Sequence, residues 1–192
     1  SRSSVTGTST RKWSIFGAFR VTDLSARNRF IFECASGTSS QTALLLRQDL
    51  DLEFFDYNSS GGVNARVRSA GLIRDSEWYT FLCVCDTANS TDTYRWRLYL
   101  NGVEQTVGTV TRTNPGPNYD TAWNAGTSQH IGVESYGSLN DYWEGSFAAF
   151  LHADNTALTP SDVWASDTLG TNGTVYYPKS ESDLTALANA GG

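Results

Sequence analysis

The fold is decided by residues 94–105, which read Tyr94-Arg-Trp-Arg-Leu-Tyr-Leu-Asn-Gly-Val-Glu-Gln105. In an extended strand, alternate side chains share a face. One face then carries Tyr94, Trp96, Leu98 and Leu100, and the other carries Arg95, Arg97 and Tyr99. Asn101 and Gly102 follow, and both residue types tolerate the positive φ that a type I′ turn requires. The stretch therefore predicts an antiparallel hairpin with one face in a core and the other near water.

Similar β-prone segments lie on both sides of this hairpin, separated by turn residues. They span residues 13–21, 29–35, 41–48, 50–57, 62–69, 77–86, 94–100, 103–110, 129–134 and 142–152. One clear helix start occurs, with Thr159 as N-cap, Pro160 at the first helical position and Asp162 completing a capping box. We expect that helix to end near Gly170 and residues 185–190 to form a final helical turn. About ten or eleven short strands without a βαβ rhythm predict a two-sheet sandwich or a barrel.

The length and composition fit one folded domain. The chain has 192 residues, of which 39% are hydrophobic, including six Trp, nine Tyr and nine Phe. Its formal net charge is −6, so nucleic-acid phosphates would repel it, and no basic cluster is visible. No apolar run approaches the ~18 residues of a membrane span. We therefore expect neither a nucleic acid nor a membrane as a partner.

The three cysteines predict no disulfide framework. Cys83 and Cys85 point the same way along one strand, where they are poorly placed to bond each other, and Cys34 leaves the count odd. The Cys-x-Cys spacing also lacks the second ligand pair of a zinc site. We expect all three to be buried thiols in a protein that folds in a reducing cytoplasm.

Three carboxylates share one strand face at Asp49, Asp51 and Glu53. Retaining glycosidases hold two carboxylates ~5–5.5 Å apart, so Asp51 and Glu53 are candidates for a glucanase-like pair. The favoured interpretation is a solvated face whose carboxylates pair with strand arginines across the sheet. The arginines considered as partners are Arg66, Arg68, Arg95 and Arg97.

A long loop at residues 111–126 carries a second candidate site. Tyr119, Asp120, Trp123 and Asn124 could bind a glycan, because aromatic rings stack on sugars and Asp or Asn side chains bind hydroxyls. Residues 56–58 and 140–142 form similar, weaker sets. The favoured alternative is a loop pinned by its own Trp and Tyr side chains. Acidic loop residues could hold Ca²⁺, although no loop has the regular ligand spacing that would make this specific.

The ordered set of motifs resembles the concanavalin A-like (laminin-G-like) jelly-roll domains of tailed phages and prophages. The similar pieces are Ser1-Arg2 with Arg11-Lys12-Trp13-Ser-Ile-Phe-Gly17, Leu52-Glu-Phe-Phe-Asp-Tyr57, Asp75-Ser-Glu-Trp-Tyr79 with Asp86-Thr87, Arg97-Leu-Tyr-Leu-Asn-Gly-Val103, and Tyr142-Trp-Glu-Gly145 with Ala157-Leu-Thr-Pro-Ser-Asp162. Together they cover about residues 11–165. The chain departs from the family at Gly17-Ala-Phe19, where relatives often have Gly-Trp-Val, and at Cys85, where Trp is usual.

This resemblance implies an all-β fold, a two-sheet antiparallel jelly-roll sandwich with one or two short helices. We expect an N-terminal arm at residues 1–10, the sandwich at 11–170, and a C-terminal extension at 171–192 that packs on the domain or leads to a neighbour. In the family an opening strand precedes the segment that corresponds to Ser1-Arg2, and we expect processing at Ser1, further upstream sequence or a strand from a neighbouring subunit to explain its absence here. We also expect the N-terminal segment to dock onto another virion protein.

The expected function is that of a non-enzymatic virion protein, in a capsid decoration, head fibre or tail-associated role. It would be assembled in the host bacterial cytoplasm as a homo-oligomer or in many copies, without a resident cofactor. Its partners would be capsid or tail proteins, and it could also bind host-surface glycans. The alternatives are a carbohydrate-binding module of a tail or secreted protein and, as the less favoured one, a glycoside hydrolase.

Overall fold

Two five-stranded antiparallel sheets build the domain. The structure is a computed structural model that describes residues 9–23, 27–35, 40–58, 60, 62–69, 73–106, 112–135, 141–168 and 174–190. Its strands are β1 Lys12–Val21, β2 Arg29–Ala35, β3 Gln41–Leu46, β4 Leu52–Tyr57, β5 Val63–Arg68, β6 Trp78–Asp86, β7 Trp96–Leu100, β8 Val103–Glu104, β9 Gln129–Ile131, β10 Gly145–Asp154, β11 Trp164–Thr168 and β12 Thr174–Pro178. The helices are α1 Pro160–Val163 and α2 Glu181–Ala190.

The strand order confirms the predicted sandwich. The first sheet runs β10-β1-β6-β7-β8 and the second runs β5-β4-β3-β2-β9, while β11 and β12 form a separate two-stranded ribbon. In the first sheet β1 pairs with β6 and β10, which lie far from it in sequence, whereas β6, β7 and β8 are consecutive. Neither helix in the described part of the chain is long and apolar enough to cross a membrane.

The central hairpin forms with the predicted turn. Asn101 has a φ of 49° and Gly102 a φ of 80°, as a type I′ turn demands. The first strand of the hairpin, β7, begins at Trp96 rather than at Tyr94, because residues Asp92–Tyr94 form a short 3₁₀ helix. Tyr99 was expected near water but is only 4% exposed. Its face of the sheet is covered by the segment that carries Trp164.

The main core fills the space between the two sheets. Trp96 stacks on Phe54 across the sandwich, with ring centroids 3.9 Å apart and planes 11° from parallel. Trp13 meets the edge of both rings. These three side chains are fully buried, so large aromatic residues provide much of the packing between the two sheets.

A second apolar cluster lies on the outer face of the first sheet. Phe16, Leu82 and Val84 point to this face and are covered by Val163 and Trp164. Leu184 and Leu187 of α2 pack against the same cluster, which holds this C-terminal helix on the domain. A smaller buried cluster formed by Phe30, Ala43, Leu45 and Phe55 lies on the outer face of the second sheet.

The two helices differ from the predicted ones. The capping box of α1 is present, with the Thr159 backbone N–H donating to Asp162 at 2.6 Å. That helix ends at Val163 rather than near Gly170, and the chain continues as β11, because Trp164 turns in to donate to the Thr80 hydroxyl at 2.9 Å. The final helix begins at Glu181 rather than 185, after Ser180 accepts from the Asp183 backbone N–H.

Several strands are shorter than predicted, and some predicted segments lie outside the described residues. β8 covers only Val103–Glu104 and β9 ends at Ile131, whereas β10 starts later than predicted, at Gly145. Residues 1–8 of the predicted arm, 107–110 of the predicted eighth strand and Asn140 of the weaker glycan set are outside the described residues.

All three cysteines are free and buried, as predicted. Burial raises the pKa of Cys34 to about 11 and those of Cys83 and Cys85 well above the ordinary thiol value. Because the thiolate is the reactive form, these side chains act as small core residues.

Candidate functional site

The predicted glycan loop reaches across the end of the sandwich and is held there by Asp56. The Tyr119 hydroxyl donates to Asp56 Oδ1 at 2.7 Å and accepts from the Asn64 amide at 2.6 Å. Thr42 donates its hydroxyl to the other oxygen of Asp56 at 2.6 Å. Burial raises the pKa of Asp56, and these donors oppose that effect. The carboxylate thus joins two strands to the loop.

Trp123 and Asn124 point into the protein. Trp123 is 2% exposed, packs 5.6 Å from the Trp13 ring and donates its indole N–H to His152 Nε2 at 3.0 Å. Asn124, also 2% exposed, has a φ of 64° and donates its amide to Asp154 at 2.8 Å. In this conformation neither side chain offers a surface on which a sugar can stack.

Asp120 faces solvent at the rim of the loop. Arg11 donates to it from Nε at 2.8 Å and from Nη2 at 2.9 Å, a bidentate pair that ties the loop to the start of β1. Of the four predicted residues, Tyr119 is partly exposed and Asp120 is well exposed, whereas the other two are enclosed. The prediction of a glycan site in this loop stays a prediction, and its accessible part is Tyr119 and Asp120.

The Arg11–Asp120 pair should add little to stability. Hydrogen bonds from Arg11 and Thr10 lower the pKa of Asp120 to about 2. Since the unfolded value is about 3.9, the pair stabilises the fold above that pH, and the contribution fades as the pH falls toward 2. Asp120 is 57% exposed, so Asp120→Asn should cost less than about 1 kcal/mol at pH 7. Urea unfolding at neutral and acidic pH tests this; a cost that persists at pH 2 contradicts it.

The acidic strand face is neutralised by arginines. Arg68 Nη2 lies 2.6 Å from Asp49 and 2.5 Å from Asp51, and Arg66 Nε lies 2.6 Å from Glu53. Arg47 reaches the other Glu53 oxygen. The predicted pairing with Arg66 and Arg68 is therefore correct.

The predicted pairing of this strand with Arg95 and Arg97 is wrong. Arg97 lies on β7 in the first sheet and Arg95 directly precedes that strand, whereas Glu53 lies on β4 in the second sheet. Arg95 instead donates to three backbone carbonyls, those of Asn89, Ser90 and Pro115. The alternation of side chains predicts which residues share a strand face, but it does not predict to which of the two sheets a strand belongs.

A third surface, which the sequence reasoning missed, lies on the outer face of the first sheet. Arg20 of β1 has Trp78 of β6 and Ser146 of β10 as its cross-strand neighbours. Its guanidinium lies 5.4 Å from the Trp78 ring centroid, and the Trp78 side chain is 48% exposed. Arg20 Nε has no hydrogen-bond partner among the described residues. Seeing this cluster required the register of three strands.

Arg97 sits in a similar setting on the same face. Its guanidinium lies 5.4 Å from the Tyr94 ring and 5.7 Å from the Tyr99 ring, and Tyr94 is 50% exposed. Most described arginines are ion-paired with Asp or Glu. Arg20 and Arg97 have no such partner within the described part of the chain. An acidic protein thus exposes two arginine–aromatic pairs on one face.

No metal centre is visible in the part of the chain that the structure describes. No three His, Cys, Asp or Glu side chains come together there as a ligand set. His152 accepts a hydrogen bond from Trp123, and the Asp56 oxygens accept from protein donors. The described residues therefore provide no ligand set for the Ca²⁺ that acidic loop residues were suggested to bind.

Comparison with known proteins gives the chain a family and several structural neighbours. The family model described as the concanavalin A-like lectin/glucanases superfamily matches residues 3–164. No curated protein sequence matches the chain significantly.

Three solved structures illustrate the likeness. A heptameric SAP-like pentraxin from Limulus polyphemus superposes with a TM-score of 0.58 at 16% identity, over 92% of this chain and 83% of that one. The CBM40 domain of Ruminococcus gnavus IT-sialidase gives 0.61 at 12% identity, over 82% and 90%. Domain 4 of the Geobacillus stearothermophilus arabinanase AbnA, in complex with arabinotriose, gives 0.54 at 18%, over 80% and 65%. At such identities the likeness establishes the fold alone.

Proposed function

Because the chain belongs to the concanavalin A-like lectin/glucanase superfamily, we propose that it is a non-catalytic, glycan-binding structural domain of a phage virion. The fold supplies a rigid two-sheet frame, and the glycan is bound by exposed rings and polar groups carried on that frame. The sequence resemblance to phage jelly-roll proteins supports the virion setting. The carbohydrate-binding module of a tail or secreted protein fits the fold equally well and is the alternative.

The observation that carries glycan binding is the cluster of Trp78, Arg20 and Ser146. Sugars bind to proteins through an aromatic ring beneath their C–H face together with polar groups for their hydroxyls. Trp78 offers the exposed ring, and Arg20 and Ser146 offer the polar groups on the two neighbouring strands. All three side chains stand on paired β-strands, so they are held in place before a ligand arrives.

The structural neighbours support the same class of ligand. The CBM40 domain of Ruminococcus gnavus IT-sialidase has been solved with α2,3- and α2,6-sialyllactose, and AbnA domain 4 with arabinotriose. These sugars are ligands of those proteins. For this chain they justify a broad glycan panel that includes acidic and neutral oligosaccharides.

The ion pairs of the acidic strand support the proposal that the domain is not catalytic. A retaining glycosidase needs one carboxyl to give up a proton and the other to attack the sugar. Glu53 is 1% exposed and is bound by Arg47 and Arg66, while Asp51 shares Arg68 with Asp49. Arginine-held carboxylates of this kind are poorly suited to either task.

We expect Trp78→Ala to weaken glycan binding by about five- to thirtyfold, because a sugar stacked on one aromatic ring gains roughly 1–2 kcal/mol. The measurement is binding to a glycan array, followed by titration of the best ligand. Tyr177→Ala is the matched control, since that ring is 47% exposed at a different place, on β12. Equal binding by Trp78→Ala and wild type rules out this surface as the glycan site.

The virion role is tested independently of sugar binding. Mass spectrometry of purified particles should detect the protein in many copies per particle, and the isolated protein should bind empty capsids or tails. A chain that is absent from washed particles, or is found only in the culture medium, favours the secreted carbohydrate-binding module instead.

A further inference from the structure

Arg20 has few partners within its own chain. Among the described residues, its guanidinium makes one hydrogen bond, a 3.4 Å contact from Nη2 to the Ser146 hydroxyl, and it lies over the Trp78 ring. Its Nε is buried and lacks a hydrogen-bond partner there. A guanidinium carries five N–H donors, so most of its donor capacity is unused. A ligand that supplies acceptors would therefore satisfy donors that the fold leaves open.

Two carboxylates that adjoin this cluster in the sequence are held by other arginines. Glu144, directly before β10, pairs with Arg27, and Glu77, directly before β6, lies 3.8 Å from Arg74. In the part of the chain that the structure describes, no Asp or Glu comes within ion-pairing distance of Arg20, whereas most of the other arginines there have such a partner. The positive charge of Arg20 is thus left for a ligand.

Asn101 adds a donor beside the cluster. The backbone N–H of Thr80, two residues after Trp78 on the same strand face, donates to Asn101 Oδ1 at 2.8 Å. The Thr80 hydroxyl lies 3.4 Å from the same oxygen. These contacts show which end of the amide is the oxygen, so the amide nitrogen of this exposed side chain can donate to a ligand that extends from Trp78.

The polar groups around Trp78 are thus mainly donors, and they include no carboxylate. Sugar hydroxyls donate as well as accept, so a site for a neutral sugar combines donors with acceptors such as Asp or Glu. A carboxylate or a sulfate group only accepts, and a guanidinium can bind either group through two parallel hydrogen bonds. The cluster therefore suits an acidic sugar better than a neutral one.

We infer that the glycans bound at this cluster are acidic, with a carboxylate or sulfate group on the Arg20 guanidinium and a sugar ring on Trp78. The inference rests on the function proposed above, because it names the ligand class of the same site. The net charge of −6 opposes such a contact only weakly, since charges more than about 8 Å away are largely screened at physiological ionic strength. The selectivity then comes from the short-range ion pair.

Matched pairs of glycans test the ligand class. Three pairs are added to the glycan panel: α2,3-sialyllactose and its methyl ester, an oligogalacturonate and its methyl ester, and lactose with and without a sulfate group. The wild type should bind the acidic member of at least one pair about tenfold or more tightly, the usual effect of hydrogen bonds to a charged group. The carboxylate pairs and the sulfate pair distinguish the two sources of the charge.

The best ligand of the wider panel is compared with its own neutral form in the same way. Equal affinity within the pairs that bind, or a best ligand without an acidic group, overturns this inference and leaves the proposed function standing. The absence of any bound glycan across the whole panel overturns the proposed function itself. The two failures are therefore distinguishable in one experiment.

Arg20→Gln tests the residue. It should lower the affinity for the acidic glycan by about tenfold or more and remove the preference within the pair. Arg20→Lys should keep part of the preference, because it retains the charge but loses the planar fork of donors. Arg97→Gln is the matched control, since Arg97 also lies over an exposed aromatic ring on the same sheet face, and it should keep the full preference. An unchanged preference in Arg20→Gln, or its loss in Arg97→Gln, overturns the inference.

Discussion

Trp123→Ala is expected to lower the free energy of unfolding by about 3–5 kcal/mol, the usual cost of removing a large buried aromatic side chain. The indole is 2% exposed, touches Trp13 and Phe32, and donates to His152. Its loss opens a cavity and leaves the histidine nitrogen without that donor. Urea unfolding followed by circular dichroism gives the number directly.

The control for this change is Tyr142→Ala. Tyr142 is 56% exposed, so its removal should cost less than about 0.5 kcal/mol. The comparison also separates two roles for Trp123. A variant that stays as stable as the wild type but no longer binds glycan would restore the interpretation of this loop as the sugar site.

Glu53→Gln is expected to destabilise the protein by about 1.5–3 kcal/mol, because it weakens two charge-assisted hydrogen bonds between a buried carboxylate and arginines that are only about a quarter exposed. Glu53 is 1% exposed and faces Arg47 on one oxygen and Arg66 on the other. The amide keeps the shape of the side chain, so the loss reports the charge rather than a cavity. The measurement is again urea unfolding at neutral pH.

Asp49→Asn is the matched control on the same strand face. Asp49 is 52% exposed, and Asp51 remains to pair with Arg68, so the cost should stay below about 1 kcal/mol. If Glu53→Gln proves as mild as Asp49→Asn, the acidic strand is not an internal ion network. The hydrolase interpretation then regains its main candidate residue.

The strands could be predicted because their signal is local. The alternation of side chains around Trp96 and the turn residues Asn101 and Gly102 are visible in a single stretch, and the hairpin follows from them. The start of α1 is equally local, since Thr159 and Asp162 complete each other's hydrogen bonds. The end of α1 could not be predicted, because it depends on a contact remote in sequence, the hydrogen bond from the Trp164 indole N–H to the Thr80 hydroxyl on β6.

The functional surfaces depend on contacts that are remote in sequence. Trp123 looked available for a sugar until its partners Trp13 and His152 were placed around it. Arg20 and Trp78 are 58 positions apart and become neighbours only through the β1–β6 register. Arg66 and Arg97 have the same alternating pattern in the sequence, but they lie in different sheets. Arg66 is therefore ion-paired with Glu53, whereas Arg97 lies over the exposed ring of Tyr94.

We propose, above all, that this domain binds glycans and leaves them intact. The most direct test incubates the wild type with each glycan retained on an array, recovers the sugar and measures its mass and reducing ends. At least one glycan should be retained and recovered uncleaved. Recovery of shortened sugars with new reducing ends would contradict it, as would the absence of binding across acidic and neutral panels.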